Sequence, residues 1–176
     1  MTSEPRFTTL PSSLDREAFI ARFGGLYEHS PWVAERLWDR GLDRRHDSVQ
    51  GLRAALAMVV DAADRATKLA LIRAHPDLAG RLALAGELTA DSRAEQASAG
   101  LDACTADELG RFQTLNEAYR ARFGFPFVMA VKDRGRAEIL AAFEARLKHD
   151  PERERAAALA EIHKIAALRL RELLVA

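Results

Sequence analysis

A histidine stands directly before a proline near the middle of the chain, at His75 and Pro76. Proline cannot continue a helix, and it pushes the residue before it toward extended geometry. The imidazole is therefore predicted at the end of a helix, where it can act on a small molecule as an acid or a base. A histidine beside a proline is more often a turn residue, so this pair alone does not establish chemistry.

Three polar residues follow at helical spacing, Ser92, Glu95 and Gln96. Residues three and four positions apart lie on one face of an α-helix, so these side chains are predicted to share a face among alanines. Together with His75 they would form two walls of one small-molecule site. The competing interpretation is a capping box, in which Ser92 begins a helix and Glu95 bonds back to the serine amide.

The rest of the chain is predicted to be mainly helical, and these helices could position the two walls of the site. Their starts are marked by capping residues, several of them followed by proline or glutamate within the first turn. The clearest starts are Ser30, Ser48, Asp64, Thr105 and Asp150. We predict an N-terminal arm over residues 1–12 and one helical domain over residues 13–176.

One stretch does not fit a helix, the apolar run from Phe125 and Pro126 to Val131. Proline interrupts it, and its apolar residues show no 3.6-residue period. We therefore predict an extended, buried segment. Without a second strand, its backbone amides and carbonyls need side chains, water or a ligand as partners. The segment is a candidate third wall of the site.

The last predicted helix carries a charged residue on its apolar face. Arg169 lies four positions after Ile165 and four before Leu173, so its side chain leaves from the face that packs. A buried charge is costly unless it is paired. Arg169 therefore either extends to the edge of the protein or meets a carboxylate, which could be Glu95 or an anionic substrate.

Length and composition predict one globular domain that folds by itself. The chain has 176 residues, of which 48% are hydrophobic and 30% are charged. Basic and acidic residues are balanced at 26 each, so nucleic acid is not an expected partner. The single cysteine excludes an internal disulfide and fits a reducing cytoplasm. No apolar run approaches the roughly 20 residues that cross a bilayer, so we expect neither membrane insertion nor export.

Several kinds of chemistry lack their motifs. The five histidines are scattered and there is one cysteine, so we predict no metal site. Neither a glycine-rich nucleotide motif nor a serine nucleophile elbow is present. The lysines lie in polar or amphipathic surroundings, which do not favour Schiff-base chemistry. The chemistry that these missing motifs leave open is acid–base catalysis without a cofactor.

Several groups of residues stand in a specific order along the chain. They are Phe23-Gly24-Gly25 with Glu28-His29-Ser30-Pro31-Trp32, His75-Pro76-Asp77-Leu78-Ala79, Ser92-x-x-Glu95-Gln96 with Ala99-Gly100-Leu101, Asn116-x-x-Tyr119, and Phe123-Gly124-Phe125-Pro126-Phe127. Together they resemble the 2-oxo-4-hydroxy-4-carboxy-5-ureidoimidazoline (OHCU) decarboxylase family of uric acid breakdown, over nearly the whole chain. Several motifs in order are far more specific than any one of them.

The resemblance implies an all-α fold, a single-domain bundle of about eight helices that forms a homodimer. The implied activity is a carboxy-lyase reaction that converts OHCU to (S)-allantoin. The implied catalytic residues are His75, Glu95 and Arg169. The implied substrate contacts are Pro76, Ser92 and Gln96, together with the backbone of Phe127, Val128, Met129, Ala130 and Val131.

As a mechanism we expect His75 to deliver a proton after carbon dioxide has left, and Glu95 to orient the hydroxyl or ureido group. Arg169 would hold Glu95 and the ligand in register, and no cofactor is needed. Two other interpretations stay open. A ureide amidohydrolase would require a metal or a serine or cysteine nucleophile, and a helical interaction module would bind partner peptides along its apolar faces.

Overall fold

Helices dominate the computed structural model, which describes residues 6–175 apart from the side chains of Leu82 and Val175. Among these residues there is no β-strand, and eight α-helices have eight residues or more. The expected all-α fold with about eight helices is therefore confirmed. None of the described helices combines the length and the apolar character that crossing a membrane requires.

The internal contacts of the chain divide it into two compact units. The first unit contains the described residues up to Ala74 and those from His163 onward. The second unit is His75–Ile162. Each unit has its own buried apolar residues and its own buried polar groups.

The N-terminal arm predicted over residues 1–12 can be followed in part, because residues 1–5 lie outside the described residues. The ring of Phe7 packs edge-on against the ring of Phe23, with 5.9 Å between centroids. The described end of the arm is therefore packed on the first unit. The boundary between this arm and a domain over residues 13–176 stays a prediction.

The first unit consists of four helices and the C-terminal part of the last helix of the chain. These four are α1 (Arg16–Phe23), α2 (Trp32–Asp39), α3 (Val49–Asp61) and α4 (Arg65–Arg73). Two predicted caps, Ser48 and Asp64, are confirmed, since each side chain accepts a hydrogen bond from the amide three residues later. The predicted cap at Ser30 is wrong, because α2 begins one residue later than expected and the Ser30 hydroxyl donates to the carbonyl of Glu28 instead. The apolar stripe of α3 is buried as its spacing predicts, at Leu52, Leu56, Val59 and Val60.

The second unit contains the remaining helices. They are α5 (Arg81–Leu84), α6 (Ala90–Ser98), α7 (Ala106–Phe123), α8 (Arg136–Arg146) and the N-terminal part of α9 (Pro151–Val175). Thr105 and Glu108 form the predicted capping box at the start of α7. Gly124 ends this helix with a φ of +75°, a left-handed conformation that glycine adopts without strain. Asp150 caps α9 by accepting the amide hydrogen of Arg153.

Residues 125–131 form neither helix nor strand, and every one of them is buried. The predicted extended segment is therefore confirmed. The ring of Phe127 stacks on Phe143 of α8 with 3.9 Å between centroids. It also meets Tyr119 of α7 edge-on at 5.5 Å. These aromatic contacts fix the extended segment against two helices.

Candidate active site

Helix α6 begins at Ala90, two residues before the serine at which the capping-box interpretation would start it. Its N-cap is Thr89, whose side-chain oxygen accepts the amide hydrogen of Ser92 at 3.3 Å. The capping-box interpretation of Ser92 and Glu95 is therefore wrong, because both residues lie inside the helix. Ser92 is 4% exposed and Gln96 is 5% exposed, and Glu95 is half-buried. The polar face of α6 is thus directed mainly into the protein.

The imidazole predicted at a helix end is found there. His75 lies two residues after Arg73, the last residue of α4, and Pro76 beside it is half-buried. The histidine is 6% exposed. A buried imidazole keeps one orientation only if the chain that carries it is held in place. The chain directly after His75 is held by side chains of two helices.

Two buried amide side chains hold the loop at the start of the second unit. Gln96 accepts the amide hydrogen of Ala79 at 3.0 Å and donates to the carbonyl of Asp77 at 3.3 Å. Asn116 of α7 donates to the carbonyl of Leu78 at 2.9 Å. Three consecutive loop residues are thereby bound to α6 and α7.

This support maintains an unfavourable backbone conformation at Ala79. Its φ is +47°, a left-handed value that is rare for residues other than glycine. Such strain persists where the surrounding contacts over-determine the conformation. The conformation of the loop that follows His75 therefore depends on the hydrogen bonds made by Gln96 and Asn116.

Sequence reasoning identifies Gln96 only as a substrate contact and leaves Asn116 out of the site. The structure adds a backbone-holding role for both residues. A substrate contact of Gln96 stays a prediction, and a primary amide has two N–H groups with which to make it. The sequence signal that could have identified Asn116 is its spacing of three residues from Tyr119, which places both side chains on one face of α7.

The extended segment obtains backbone hydrogen bonds from charged side chains. The Nη1 atom of Arg146 donates to the carbonyl of Val128 at 2.6 Å. The amide of Ala130 donates to Glu161 Oε2 at 3.3 Å. The expectation that this backbone needs partners outside a sheet is confirmed at these residues, and the substrate contacts of residues 127–131 stay a prediction.

A buried charged cluster surrounds Glu154, which is fully excluded from solvent. Arg146 donates from Nε to one carboxylate oxygen at 2.6 Å, and the hydroxyl of Tyr119 donates to the same oxygen. His149 Nδ1 lies 3.2 Å from the other oxygen. Burial, and next the bond to the carboxylate, raises the pKa of Tyr119 far above that of free tyrosine, so its hydroxyl remains a donor. Sequence reasoning misses this cluster, because a glutamate in the first turn is typical of any helix start.

Arg169 is buried in the first unit, at 4% exposure, and the alternative that it extends to the edge is wrong. Its Nη2 atom donates to Glu28 Oε2 at 2.7 Å, and its Nη1 atom donates to the carbonyl of Gly25 at 3.4 Å. The expectation that this arginine meets a carboxylate is confirmed. The carboxylate shown here is Glu28, which lies 141 positions away, so no local pattern connects the two.

Within the second unit the structure joins the two predicted walls. Gln96 of α6 binds the loop that follows His75. Ser92 and Glu95 are carried by the same helix, while Arg169 belongs to the first unit. Among the described residues, no three or more histidine, cysteine, aspartate or glutamate side chains are grouped so that they could hold a metal ion. An imidazole, a carboxylate and a hydroxyl on adjoining elements can exchange protons with a small molecule.

Residues 12–171 match the family model described as OHCU decarboxylase. The chain belongs to the OHCU decarboxylase family. A 2-oxo-4-hydroxy-4-carboxy-5-ureidoimidazoline decarboxylase of Haloferax volcanii is 50% identical over 159 residues, which are 90% of each chain. A protein of the same name from Halalkalicoccus jeotgali is 47% identical over 92% of this chain and 88% of its own length.

A solved (S)-allantoin synthase has the same fold as this member of the OHCU decarboxylase family, with a TM-score of 0.73 and 33% sequence identity. The likeness covers 93% of this chain and 52% of that one, so this chain spans about half of the solved protein. All the predicted site residues lie within the part of the chain that matches the OHCU decarboxylase family. Their individual roles stay predictions.

Proposed function

We propose that this chain is a cofactor-free decarboxylase, a carboxy-lyase that converts OHCU to (S)-allantoin in uric acid degradation. The observation that carries the proposal is the 50% identity, over 90% of both chains, to a protein named as an OHCU decarboxylase. The geometry of the second unit supports it. A buried histidine on a held loop beside a polar helix face suits a small polar substrate.

The reaction requires orientation and proton transfer. Loss of carbon dioxide from the carbon that carries the hydroxyl leaves an electron pair, which forms a double bond to the neighbouring ring carbon that carries the ureido group. The electrons of the C=N bond at that carbon pass to its nitrogen, which takes up a proton. A second proton must then reach one face of the carbon that carries the ureido group, while the hydroxyl loses its proton and becomes the ring carbonyl. The face that receives the proton determines the enantiomer, so the protein must hold the ring in one orientation.

His75 is the proposed donor of the second proton, since its imidazole is buried on a loop whose backbone is held at three residues. Glu95 is half-buried on α6, and as a carboxylate it accepts a hydrogen bond from the hydroxyl or ureido group. Its negative charge near the leaving carboxylate would also destabilise the bound substrate. Arg169 is the third proposed catalytic residue.

The proposed substrate contacts combine hydrogen-bonding side chains with backbone. Ser92 can donate and accept through its hydroxyl, and Gln96 through its amide, which suits the N–H and C=O groups of a ureide. Pro76 adds an apolar surface beside them. The ring of OHCU would lie against the backbone of residues 127–131.

We also propose a homodimer in the cytoplasm. The dimer comes from the resemblance to the family, and the location from the use of a single cysteine. Light scattering on the purified protein is expected to give the mass of two chains of 19.5 kDa each. The mass of one chain would contradict the dimer.

The activity can be tested with purified, chelator-treated protein and freshly prepared OHCU, following the circular dichroism of allantoin as it forms. We expect (S)-allantoin to appear faster than in buffer alone. Slow formation of racemic product at the buffer rate would contradict the proposal. Activity that appears only after a metal is added would contradict its cofactor-free part.

The acid assignment can be tested with His75→Asn. We expect kcat to fall by about 10²- to 10⁴-fold, the usual contribution of a positioned acid or base, with far-ultraviolet circular dichroism unchanged. The matched control is His46→Asn, which changes another buried histidine that lies in the first unit and accepts the amide hydrogen of Asp43. It is expected to keep its activity. A folded His75→Asn variant with the wild-type rate of (S)-allantoin formation would show that another group delivers the proton.

A further inference from the structure

We propose that Arg146 is a positioning residue of the active site, which acts through the peptide group between Val128 and Met129. Glu154 in turn holds Arg146. The inference rests on the proposed function, in which residues 127–131 contact the ring of OHCU. Arg146 itself would not touch the substrate.

Arg146 holds the extended segment in two ways. Its Nη1 atom donates to the carbonyl of Val128 at 2.6 Å. Its guanidinium also lies over the ring of Phe127, 4.4 Å from the centroid. The side chain of Arg146 is 12% exposed, so both contacts are largely shielded from water. Hydrogen bonds from a charged donor are stronger than neutral ones, and shielding from water strengthens them further.

The orientation of this guanidinium is set by the charged cluster. Arg146 binds Glu154 through Nε, so a rotation that released the extended segment would also break an ion pair whose carboxylate is fully buried. Tyr119 of α7 and His149, which lies in the short segment between α8 and α9, hold the same carboxylate. Breaking a buried pair leaves an uncompensated charge, which is strongly unfavourable. The cluster therefore restricts Arg146 to the orientation that binds the segment.

The direction of one carbonyl determines the direction of the next amide. In a trans peptide, the C=O and the following N–H point in opposite directions. Because the Val128 carbonyl points to Arg146, the amide hydrogen of Met129 points away from it. In an extended chain the backbone groups of residues 128 and 130 are directed to one side and those of residue 129 to the other. The Ala130 amide accordingly has a charged partner of its own, Glu161. Met129 therefore directs its backbone N–H and C=O away from these two charged side chains.

A neighbouring N–H and C=O on one extended residue are complementary to the C=O and N–H groups of an imidazolone ring. A positive charge bound to the Val128 carbonyl also polarises the peptide and makes the amide of Met129 a stronger donor. The loss of Arg146 should therefore weaken ring binding in the ground state and in the transition state alike. Such a loss raises KM and leaves kcat nearly unchanged.

The test uses the full chain with Arg146→Met, which keeps an unbranched side chain and removes the charge and the donors. We expect KM for OHCU and Kd for (S)-allantoin to rise up to about tenfold, the effect of losing one hydrogen bond between the Met129 amide and the ring. We also expect the amide proton resonance of Met129 to move upfield. The matched control is Arg111→Met, which removes the exposed pair between Arg111 and Glu144 and should change neither quantity.

A purely structural role predicts a different result. The variant would then be less stable to urea, while KM, Kd and the Met129 resonance of the folded protein would equal those of the wild type. That result would overturn the inference. If Arg146→Met does not fold, Arg146→Lys serves the same purpose, because an ammonium group lacks the fork that binds Glu154 and the Val128 carbonyl together. Unchanged KM and an unchanged resonance in Arg146→Lys would also overturn it.

The resonance and the binding of (S)-allantoin do not require turnover, so the two proposals can fail separately. A wild-type protein that does not convert OHCU, but whose Met129 resonance depends on Arg146, would contradict the proposed function and support the positioning of the peptide. A wild-type protein that converts OHCU, with an Arg146→Met variant of equal KM, would contradict the positioning alone.

Discussion

In the part of the chain that the structure describes, each unit contains an arginine–glutamate pair whose carboxylate is buried, and the two pairs are built differently. Arg169 donates to Glu28 at 2.7 Å in the first unit, and Arg146 donates to Glu154 at 2.6 Å in the second. Glu28 belongs to the irregular segment between α1 and α2. In the second unit Glu154 lies on helix α9. The arginine of that pair, Arg146, binds the irregular segment through the carbonyl of Val128.

The feature that the pairs share explains why a helical protein retains them. Both arginines also donate to a main-chain carbonyl of a segment without helix or strand, Arg169 to Gly25 and Arg146 to Val128. Such a segment has no hydrogen-bond ladder of its own, so buried polar side chains must supply its partners. A buried ion pair alone is weak evidence for stability. Here its contribution lies in the backbone that it holds.

The largest expected effect follows from removing the glutamate of either pair. Glu154→Ala should lower the free energy of unfolding by about 3–5 kcal/mol, because the charge of Arg146 would remain buried without its carboxylate. Glu28→Ala should have an effect of the same order, since Arg169 is 4% exposed. Urea denaturation at neutral pH measures both.

The control for this pair of variants is Glu144→Ala, which removes the exposed ion pair with Arg111 and should cost at most about 1 kcal/mol. If either buried glutamate could also be removed for less than about 1 kcal/mol, that pair would behave as a surface ion pair. The two units would then differ in how much their arginine–glutamate pairs stabilise the fold.

A smaller effect is expected at the buried tyrosine of each unit. Tyr119 donates to Glu154, and the hydroxyl of Tyr27 lies 2.9 Å from His163 Nδ1. Burial is the main cause that raises the pKa of both tyrosines, followed by the bond to Glu154 for Tyr119 and by the charge of Asp61 for Tyr27. Replacing either tyrosine by phenylalanine should lower the free energy of unfolding by about 1–2 kcal/mol at pH 7.

The raised pKa values also predict the behaviour in alkali. A pKa that is raised by folding stabilises the protein below the pKa of unfolded tyrosine, about 10, and this stability is lost as the pH rises above it. The melting temperature of the wild type, measured from pH 8 to 11, should therefore fall more steeply than that of Tyr119→Phe or Tyr27→Phe. Equal slopes would show that the tyrosines are not the groups that titrate.

The smallest effect is expected at two exposed helix caps, one in each unit. A hydrogen bond from the Thr67 amide is the main cause that lowers the pKa of Asp64, and the Arg153 amide does the same for Asp150. A lowered pKa stabilises the protein above the pKa of unfolded aspartate, about 3.9, and this stability is lost as the pH falls through the lower folded value. Asp64→Ala and Asp150→Ala should each lower the melting temperature by a few degrees at pH 7. Their difference from the wild type should shrink as the pH falls below the pKa of unfolded aspartate, and a constant difference would contradict the assignment.

Much of the helical framework could be predicted because its signals are local. The side chains of Ser48, Asp64 and Thr105 each bind an amide three residues later. Gly124 ends α7 because it adopts a positive φ without strain. These interactions depend on neighbours within one turn, so the amino-acid pattern is sufficient.

The start of α6 shows where a local pattern is insufficient. Thr89 and Ser92 can both cap a helix, and the glutamate three residues after Ser92 makes the second start the better match to a capping box. In the structure Thr89 caps, and Ser92 is buried inside the helix. Packing of the face that carries Ser92 decides between two starts of similar local preference.

In the candidate site, too, some features follow from the local sequence and others depend on contacts between distant residues. The position of His75 at a helix end and the shared face of Ser92 and Gln96 follow from proline geometry and helical spacing. The hydrogen bonds that hold the loop after His75 could not be predicted, because they join residues 17 to 38 positions apart. The catalytic and substrate-binding roles of these residues stay predictions until OHCU is tested.

The sequence by itself therefore determined most of the helices, the caps at Ser48, Asp64, Thr105 and Asp150, the extended segment and the family, since these depend on local geometry and on the order of motifs. Only the tertiary structure decided which buried charges meet. Glu28 pairs with Arg169 across 141 positions, and Glu154 joins Tyr119 across 35. A buried charge must be paired wherever the packing places it. The sequence shows that such a charge needs a partner, but it does not show which residue the partner is.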